Sequence, residues 1–450
     1  MTSTSRLSTG LFWFRHDLRL DDNPALNALC TRVGTLVCLY VVNPADFAPG
    51  RFHARSLGEH RWSFLSESLL DLQEQLQARG QHLDVRIGDP AQQLTAAINE
   101  YDASVIGVNH HPGVDERRAL ADVRDLHPHC EWIERHAHTL YTPERLPFPL
   151  RKLPRQFTPF CRQVEDDTAF CPPEAAPAQM PSPSGSVRDW PSGLPPAAMD
   201  GIAPWVGGSR AGMAHWQEYL DAPHPVRHYK RTRNALDERH ASSVMSPWLA
   251  NGSVSVRRLA QDLRAHEAEH GQNESTHWLY REWLWREYFQ WHLELYGTQL
   301  FRFAGTRSKR PLTTLYPARL KAWQEGETGL PLVDACMRQL RDTGWMSNRG
   351  RQIVASALVN ELGVDWRYGA AWFEQQLLDF DVASNYGNWQ YIAGVGVDPR
   401  GGRHFNLEHQ ARQYDPDGAF QRRWLPDGVT PPVDDGVDMV DWPRDPGARS

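Results

Sequence analysis

The spacing of hydrophobic and polar positions changes in character along the chain. In the first 150 residues, short β-branched runs at 35–42 and 103–108 predict buried strands. Residues 61–78 instead repeat their apolar positions with the 3.6-residue period of an amphipathic helix. Because alternating buried strands and helices are typical of parallel sheets, we expect an α/β domain over residues 1–160.

Beyond this domain the strand pattern ends. From residue 171 the sequence is rich in Pro, Ala and Ser and has no periodicity, so we expect an extended interdomain linker over 161–204. Helical periodicity then returns, most clearly at 277–296, 333–341 and 352–362, and predicts an all-helical domain over 205–430. The last segment, 431–450, is acidic and Pro-rich, which predicts a short disordered tail.

Composition narrows the classes of function. A chain of 450 residues that is 40% hydrophobic is long enough for two or three packed domains. No stretch approaches the roughly 20 apolar residues of a membrane span, so we expect no membrane contact and a cytoplasmic location. The net charge of −7 argues against a protein that coats nucleic acid nonspecifically. By default we expect a monomer. The six cysteines lack zinc or disulfide spacing, which predicts no bound metal.

The 18 tryptophans exceed what hydrophobic cores normally need, so we expect some of them to stack on a ligand or carry electrons. In the helix predicted at 277–296, Glu282, Trp285 and Phe289 share one face through their i, i+3 and i+7 spacing. An exposed indole beside a carboxylate can stack on a base and accept a hydrogen bond from its edge. The alternative is a core helix whose aromatic rings face other helices. Glu282 and Arg286 are also spaced as a favourable i, i+4 ion pair.

A second group of polar residues follows Ser347. On a helix, Asn348, Arg351 and Gln352 converge on one side, whereas Arg349 points away and is free to contact a phosphate. The alternative is a solvated helix start that is capped by Ser347 or Asn348.

A third group combines two acids, an amide and an indole. Asp381, Asn385 and Trp389 recur every four residues, so they line one wall if the segment is helical. Such a row can bind the edge of a polar heterocycle, with Arg351 neutralising a buried Asp379. General acid/base hydrolysis by the two aspartates is the alternative, but no metal motif or nucleophile–base pair accompanies them.

Together these segments resemble the photolyase/cryptochrome family over nearly the whole chain, up to about residue 426. The resemblance is carried by FWFRHDLRLDDNPAL from Phe12, REWLWREYF from Arg281, MSNRGRQIVASAL from Met346 and LLDFDVASNYGNWQYIAGVGVDPR. Within the family the chain is most similar to the DASH cryptochromes. That similarity lies in LPRQFTPFCRQVE from Leu153, TRNAL from Thr232, and the pair Gln352 and Tyr391.

The resemblance implies the fold class and the main cofactor. It implies an α/β N-terminal domain with a Rossmann-like parallel sheet that binds an antenna, followed by an all-helical C-terminal domain that binds FAD. The FAD would be noncovalent, with Asn385 facing atom N5 of the flavin ring. The residues implied around the FAD are Tyr229, Ser242, Ser243, Val244, Met245, Ser246, Asn348, Arg351, Asp379, Asp381 and Asn385.

The resemblance also implies light-driven repair of cyclobutane pyrimidine dimers, in which excited reduced FAD donates one electron to a flipped dimer and then recovers it. Members of the DASH group are expected to prefer single-stranded DNA. Glu282, Asn348 and Asn385 are the implied catalytic residues. The alternatives are a blue-light photoreceptor that binds nucleic acid or a partner without efficient repair, and a flavin oxidoreductase, which lacks a recognisable nicotinamide site. The implied DNA-binding residues are Arg233, Glu282, Trp285, Asn348, Arg349, Gln352 and Tyr391.

Two further roles are implied, and the first of them departs from the family pattern. Trp389 and Trp366 match the inner positions of the family's electron-transfer chain, but the outer position falls at Thr313, and Tyr316 is the nearest substitute. The segment Val114–Arg117 resembles the family's antenna site. It implies a 5,10-methenyltetrahydrofolate bound by Asp115 and Glu116, and the alternative is a solvated helix start.

Overall fold

The computed structural model describes residues 8–167, 169–185, 190–193, 204–307, 310–397, 401–426 and 428. The tail expected at 431–450 lies outside the described residues, as do several parts of the linker expected at 161–204. Among the helices that are described, none has both the length and the apolar character needed to cross a membrane.

The N-terminal domain is built on five parallel strands in the order β3-β2-β1-β4-β5, so the predicted parallel α/β fold is confirmed. A two-residue strand, β6, pairs in parallel with the start of β2. Because the strand order reverses between β1 and β4, the carboxyl ends of these two strands border a crevice of the kind that binds ligands in doubly wound sheets. The strand bounds are Thr9–Phe14 (β1), Thr35–Val42 (β2), Leu83–Ile87 (β3), Ala103–His110 (β4), Glu131–His136 (β5) and Ser182–Pro183 (β6).

Helices cover both faces of this sheet. Successive side chains of a strand point to opposite faces, so Phe12 and Phe14 pack in one core cluster while Leu11 and Trp13 pack in the other. Because the sheet is buried on both faces, the sequences of its central strands are continuous apolar runs. The helices of this domain are Pro24–Cys30 (α1), Glu59–Gln77 (α2), Pro90–Tyr101 (α3) and Val114–Leu126 (α4).

The rest of the described chain is helical. Helix α5 begins at Phe157 and continues through residues 161–167, which were expected to start the extended linker. The long helix α10 begins with a capping box at Asn273 and carries the Glu282 face. The bounds are Phe157–Asp167 (α5), Ser209–Leu220 (α6), Tyr229–Thr232 (α7), Ser246–Ala250 (α8), Val256–His270 (α9), Glu274–Tyr296 (α10), Pro317–Glu325 (α11), Pro331–Thr343 (α12), Asn348–Asn360 (α13), Trp366–Gln376 (α14), Val382–Ala393 (α15), Leu407–Tyr414 (α16) and Ala419–Trp424 (α17).

Buried polar groups join the two domains. The Glu287 carboxylate of α10 accepts hydrogen bonds from the backbone N–H groups of Leu140 and Tyr141, at 2.7 and 3.2 Å. Burial raises the pKa of Glu287 to about 7 despite these donors. Arg257 of α9 donates to the carbonyl oxygens of Thr139 and His136. The helical domain is therefore fixed against the chain that leaves β5, which sets the position of the crevice relative to α10.

Candidate functional site

Two cavities meet at the segment between α14 and α15. The larger one, which we call the interdomain cavity, measures about 1100 Å³ and opens at the crevice between β1 and β4, where His16 and Glu116 line it. The smaller one, which we call the inner cavity, lies among α13, α14 and α15 and is lined by Asn348 and Asn385. Phe380 and Asp381 line both cavities, so this short segment separates the two spaces.

Helix α13 brings the predicted polar group to the inner cavity. Ser347 caps this helix by accepting from the backbone N–H of Gly350 at 3.1 Å. Asn348, Arg351 and Gln352 then line the cavity together, as their i, i+3 and i+4 spacing predicted. This segment is therefore a capped helix start that also presents a polar face to the inner cavity.

The inner cavity contains the expected ion pair between Arg351 and Asp379. Arg351 Nη2 donates to Asp379 Oδ2 at 2.9 Å, and the Asp379 side chain is only 3% exposed. The second oxygen, Oδ1, is buried and has no hydrogen-bond partner within the described residues. An acceptor left in this state is costly unless a ligand donor meets it.

Asp381 is held in a dense network. It caps α15 through the backbone N–H of Ser384 at 2.7 Å and accepts from Gln290 Nε2 at 2.9 Å. Burial favours the neutral acid, but a contact with His138 at 3.6 Å and the nearby Arg286 charge outweigh it, so the pKa of Asp381 lies well below its usual range. Burial, with Arg286, lowers the pKa of His138 to about 3, so this imidazole is neutral. Asp381 is therefore an ionised acceptor between the cavities.

Asn385 and Trp389 follow on α15. The amide nitrogen of Asn385 donates to the carbonyl oxygen of Ala370 at 3.0 Å, which leaves the amide oxygen as the group that can accept from a ligand. Trp389 is buried and packs against Phe373 and Trp323, with ring centroids 5.1 and 6.2 Å away. The predicted row of carboxylate, amide and indole along this helix is present.

The segment expected around the cofactor phosphates, 242–246, leads into α8, whose first residue is Ser246. Val244 has φ of 47°, which is strained for a β-branched residue and is typical of functional segments. His215 Nε2 lies 2.9 Å from the carbonyl oxygen of Ser243 and fixes the segment from α6. Tyr229, the first residue of α7, is buried, and burial raises its pKa well above the usual value. Its hydroxyl is therefore a neutral donor.

Glu282 is paired with Arg233, which donates to Oε1, and the same oxygen accepts from Trp278 Nε1 at 2.9 Å. The expected ion pair with Arg286 is wrong, because Arg286 instead donates to the carbonyl oxygen of His138 at 2.7 Å. Burial raises the pKa of Glu282, although Arg233 and Trp278 oppose the shift. The carboxyl group of Glu282 is thus closer to protonation than an ordinary glutamate.

Trp285 lies between the two domains on the same face of α10. Its ring stacks on Phe157 of α5 at a centroid distance of 3.7 Å and an angle of 11°. Tyr391 meets its edge at 6.2 Å, and Arg403 covers the Tyr391 ring at 4.7 Å while donating to its hydroxyl. Tyr391 lines the inner cavity, so Trp285 contacts one of the residues in the wall of that cavity.

Arg349 points away from the inner cavity, as the helix geometry predicted. Its guanidinium donates to Asn234 Oδ1 at 3.3 Å and lies 4.8 and 5.8 Å from the ring centroids of Tyr414 and Phe405. Burial lowers the pKa of Arg349, which still remains a cation. Its Nε atom is buried and has no partner among the described residues.

The residues expected to carry electrons are buried. Trp366 begins α14, is fully buried, and donates from its indole nitrogen to the carbonyl oxygen of Phe303 at 3.1 Å. Its ring lies 6.2 Å from that of Tyr386. Tyr316 is 5% exposed and lies beneath the guanidinium of Arg319, 4.4 Å away. Tyr316 therefore does not provide an open outer end for an electron path.

The two acids expected at the antenna site differ in environment. Asp115 is 90% exposed and pairs with Arg118, whereas Glu116 is only 25% exposed and faces the interdomain cavity. Glu116 Oε1 lies 2.9 Å from His16 Nε2 and 3.7 Å from His111 Nδ1. Burial opposes its ionisation, but the two histidines hold the pKa of Glu116 well below its usual range. Glu116 is the better ligand of the two.

Trp278 is a candidate site residue that the sequence analysis missed. Lys230, Arg233 and Arg281 place their cationic groups 5.3, 4.9 and 5.8 Å from its ring centroid. An indole surrounded by cations is a suitable platform for a base and its phosphates. Trp278 stands four residues before Glu282 on α10, so helical spacing alone was sufficient to find it.

The acceptors around the inner cavity fit a flavin ring. The partnerless Oδ1 of Asp379, the amide oxygen of Asn385 and the ionised Asp381 can accept from the N–H groups of such a heterocycle. A doubly wound α/β domain joined to a helical domain with this pocket is the architecture of a photolyase-type flavoprotein. The chain belongs to the photolyase/cryptochrome family. Residues 10–182 match the family model described as DNA photolyase, and residues 278–435 match the FAD binding domain of DNA photolyase.

Named relatives agree with this assignment. The chain is similar to Cryptochrome DASH of Idiomarina loihiensis, with 44% identity over 96% of each chain. It is 43% identical to Cryptochrome DASH of Vibrio parahaemolyticus, over 96% of this chain and 97% of the relative. The solved cryptochrome of Synechocystis sp. superposes with a TM-score of 0.88 at 38% identity, covering 93% of this chain and 89% of that one. The resemblance to DASH cryptochromes seen in the sequence is confirmed.

Proposed function

We propose that the protein is a light-driven photolyase of the DASH type, which repairs cyclobutane pyrimidine dimers and prefers single-stranded DNA. The FAD, when bound, supplies donation and return of one electron under blue light. One observation carries the proposal. Trp285 of α10 meets Tyr391 of α15 at 6.2 Å, and Tyr391 lines the same cavity as Asp379 and Asp381, the acids proposed to bind the flavin. A base stacked there is adjacent to the cofactor pocket.

In this proposal Glu282 is the group that handles a proton at the lesion. Its raised pKa lets a carboxyl oxygen carry a proton once DNA excludes water from the pocket, and the proton can be shared with a pyrimidine carbonyl oxygen. Arg233 holds this carboxyl group in position and gives it a counter-charge when it is ionised. Asn348, at the start of α13, orients the lesion from the other side of the cavity.

The cofactor residues have separable roles. Arg351 balances the charge of Asp379, whose free oxygen could accept a ring N–H, and the amide oxygen of Asn385 would be a second acceptor for a flavin N–H group. Tyr229 and the 242–246 segment offer hydroxyl and backbone donors to the phosphates. These residues would orient a bound flavin and exclude water from its reactive edge.

The preference for single strands is supported by the charge of the protein. A net charge of −7 gives little sequence-independent attraction to a duplex, so the energy available for extracting a base is small. A base in a single strand is already unpaired, which removes most of the cost of moving it into a pocket. Trp278 and its three cations are suited to hold such a strand.

The interdomain cavity is the proposed site of a 5,10-methenyltetrahydrofolate antenna. Its volume of about 1100 Å³ slightly exceeds the usual range of roughly 300–1,000 Å³ for cofactor sites, so a folate has room, and Glu116 supplies an ionised acceptor in its wall. Purified protein with Glu116→Gln should lose the near-ultraviolet absorption of the folate and keep that of the flavin. Glu131→Gln, on a half-exposed edge-strand glutamate paired with Arg32, is the matched control and should lose neither.

The repair proposal is tested by supplying the reduced protein with a thymine dimer in a single strand and in a duplex, and measuring restored thymine in light and in darkness. We expect restoration only in light, and about tenfold or more faster in the single strand, because flipping from a duplex costs a few kcal/mol. Light-independent restoration, or none in either substrate, contradicts the proposal. Flavin photoreduction together with DNA binding but no repair would instead identify a blue-light photoreceptor.

A further inference from the structure

We propose that His224, His266 and His270 form a binding site for one divalent transition metal ion of the zinc class. His266 and His270 stand one turn apart on α9, and His224 approaches from the segment after α6. One ligand nitrogen from each ring lies within 4.8 Å of the others, and the ring centroids are 4.5 to 5.3 Å apart. None of the three lines the interdomain or inner cavity, so the site is separate from the flavin and antenna sites.

A partnerless nitrogen points to a ligand at this place. His266 is 7% exposed, and its Nε2 atom is buried without a hydrogen-bond partner in the described part of the chain. The His266 ring lies 4.6 Å from that of His270 and 5.3 Å from that of His224, centroid to centroid, so the partnerless nitrogen belongs to a ring beside two other imidazoles. A neutral imidazole with an unused lone pair is the form that coordinates a metal.

His224 is prepared for the same role. Its Nδ1 lies 2.7 Å from the carbonyl oxygen of Leu220, a bond that requires the proton on Nδ1 and leaves Nε2 as a lone pair. Metal-binding histidines are commonly oriented in this way by a backbone carbonyl. His224 also has φ of 59°, an uncommon conformation that turns its ring toward α9 and is typical of ligand-holding positions.

Two neighbouring residues, Glu269 and Arg227, contribute a negative charge beside the cluster and hydrogen bonds that fix its backbone. Glu269 Oε1 lies 3.7 Å from His270 Nε2 and places a negative charge beside the three imidazoles, and water can complete the tetrahedral coordination of an ion. Arg227 donates to the carbonyl oxygens of His270 and Gly271, which fixes the end of α9 against the His224 segment. Three imidazoles with one oxygen suit Zn²⁺, and also Co²⁺, Ni²⁺ and Cu²⁺.

A metal here would join two parts of the helical domain. The turn Pro225–His228 follows His224 and leads into α7, which begins at Tyr229 and is followed by Arg233. Binding would therefore stabilise the segment that carries a candidate phosphate contact and the partner of Glu282. The sequence contains the His266 and His270 spacing on a helix, but the third ligand is 42 residues earlier, so our expectation of no metal missed the cluster.

The test uses the full chain with FAD, stripped of metal by a chelator, and titrates it with Zn²⁺ by calorimetry and with Co²⁺ by visible absorption. We expect one tight site per chain, tetrahedral Co²⁺ bands, and a thermal midpoint several degrees higher with Zn²⁺. His270→Ala, at an exposed position, should weaken binding by about 100-fold or more and remove the bands. Unchanged flavin absorption and helical content verify that the variant is folded.

His129→Ala is the matched control, because His129 is also exposed and belongs to another cluster, with His127 and Cys130, that could hold a metal. This variant should bind Zn²⁺ as the parent protein does. The proposal is overturned if no stoichiometric binding occurs, if His270→Ala binds as tightly as the parent, or if His129→Ala is the variant that loses the site.

Discussion

Arg351 Nη2 donates to Asp379 Oδ2 at 2.9 Å, while Oδ1 of the same buried carboxylate has no partner among the described residues. Arg351 therefore neutralises the charge of Asp379 but hydrogen-bonds only one of its two carboxylate oxygens. A buried charge whose second acceptor is left open suits a ligand that brings its own N–H group.

Removing the cation should destabilise both the fold and the cofactor. In Arg351→Ala the Asp379 carboxylate stays buried without its counter-charge, so we expect the free energy of unfolding to fall by about 3–5 kcal/mol and flavin content to drop sharply. Urea unfolding and the flavin-to-protein absorbance ratio measure these effects. Arg412→Ala, at a 72% exposed side chain of α16, should change stability by less than about 0.5 kcal/mol. Equal effects of the two substitutions would refute this account.

A histidine at the domain junction should make stability depend on pH. His110 contacts Glu134 at 2.9 Å and Glu294 at 2.8 Å; burial alone would lower its pKa, but these bonds raise it to about 9. The folded pKa exceeds the unfolded value of about 6.5, so protonated His110 stabilises the folded protein. Its contribution to the free energy of unfolding is complete below about pH 6.5 and is lost as pH rises through about 9. Its size is about 3 kcal/mol.

The urea midpoint of the parent protein should therefore fall more steeply between pH 6.5 and about 9 than that of His110→Gln. The two proteins should converge at higher pH, where His110 is neutral. His409→Gln, on an exposed residue of α16, serves as the control and should follow the parent curve. Parallel curves for the parent and His110→Gln would show that this cluster does not titrate as described.

The buried indoles predict a separation between photoreduction and repair. Trp389 lines the inner cavity, so Trp389→Phe should abolish reduction of the flavin by light while leaving repair by chemically reduced protein intact. Flavin bleaching under blue light with an external reductant, and restored thymine, are the two readouts. Trp205→Phe, which changes a partly buried indole outside both cavities, is the control. Retained photoreduction in Trp389→Phe would exclude this residue from the path.

Arg349 should act on DNA through its charge. Arg349→Ala is expected to weaken binding to single strands of any sequence and to reduce the slope of log affinity against log salt by about 1. Fluorescence anisotropy over a series of salt concentrations measures both quantities. Arg412→Ala, a cation of equal charge at an exposed position on α16, should leave the slope unchanged. An unchanged slope for Arg349→Ala would remove it from the phosphate contacts.

Local spacing correctly predicted which polar residues share a helix face. Helical periodicity placed Asn348, Arg351 and Gln352 on one side and Arg349 on the other, and the structure has this arrangement. It succeeded because residues one turn apart on a helix share a face regardless of what packs around them. The parallel sheet followed in the same way from apolar runs that are buried on both faces.

Contacts between distant segments could not be predicted in this way. The expected pair of Glu282 and Arg286 fails because Arg286 contributes to charge balance at the buried Asp381, and Glu282 turns to Arg233 instead. His138 reaches Asp381 from a position 243 residues earlier in the chain. Which residues pair in this way depends on which buried charges the packing of the domains brings together. The spacing of residues along the sequence contains no information about that packing.

The central claim is light-driven repair through the pocket of Glu282, and one measurement tests it most directly: thymine restored per photon absorbed, for reduced protein on a dimer in a single strand. We predict that Glu282→Gln lowers this yield by about 100-fold, because an amide cannot carry the proton. Glu408→Gln, on an 86% exposed glutamate, should match the parent protein. A parent protein that restores no thymine in light, or a Glu282→Gln variant that repairs as well as the parent, would contradict the account.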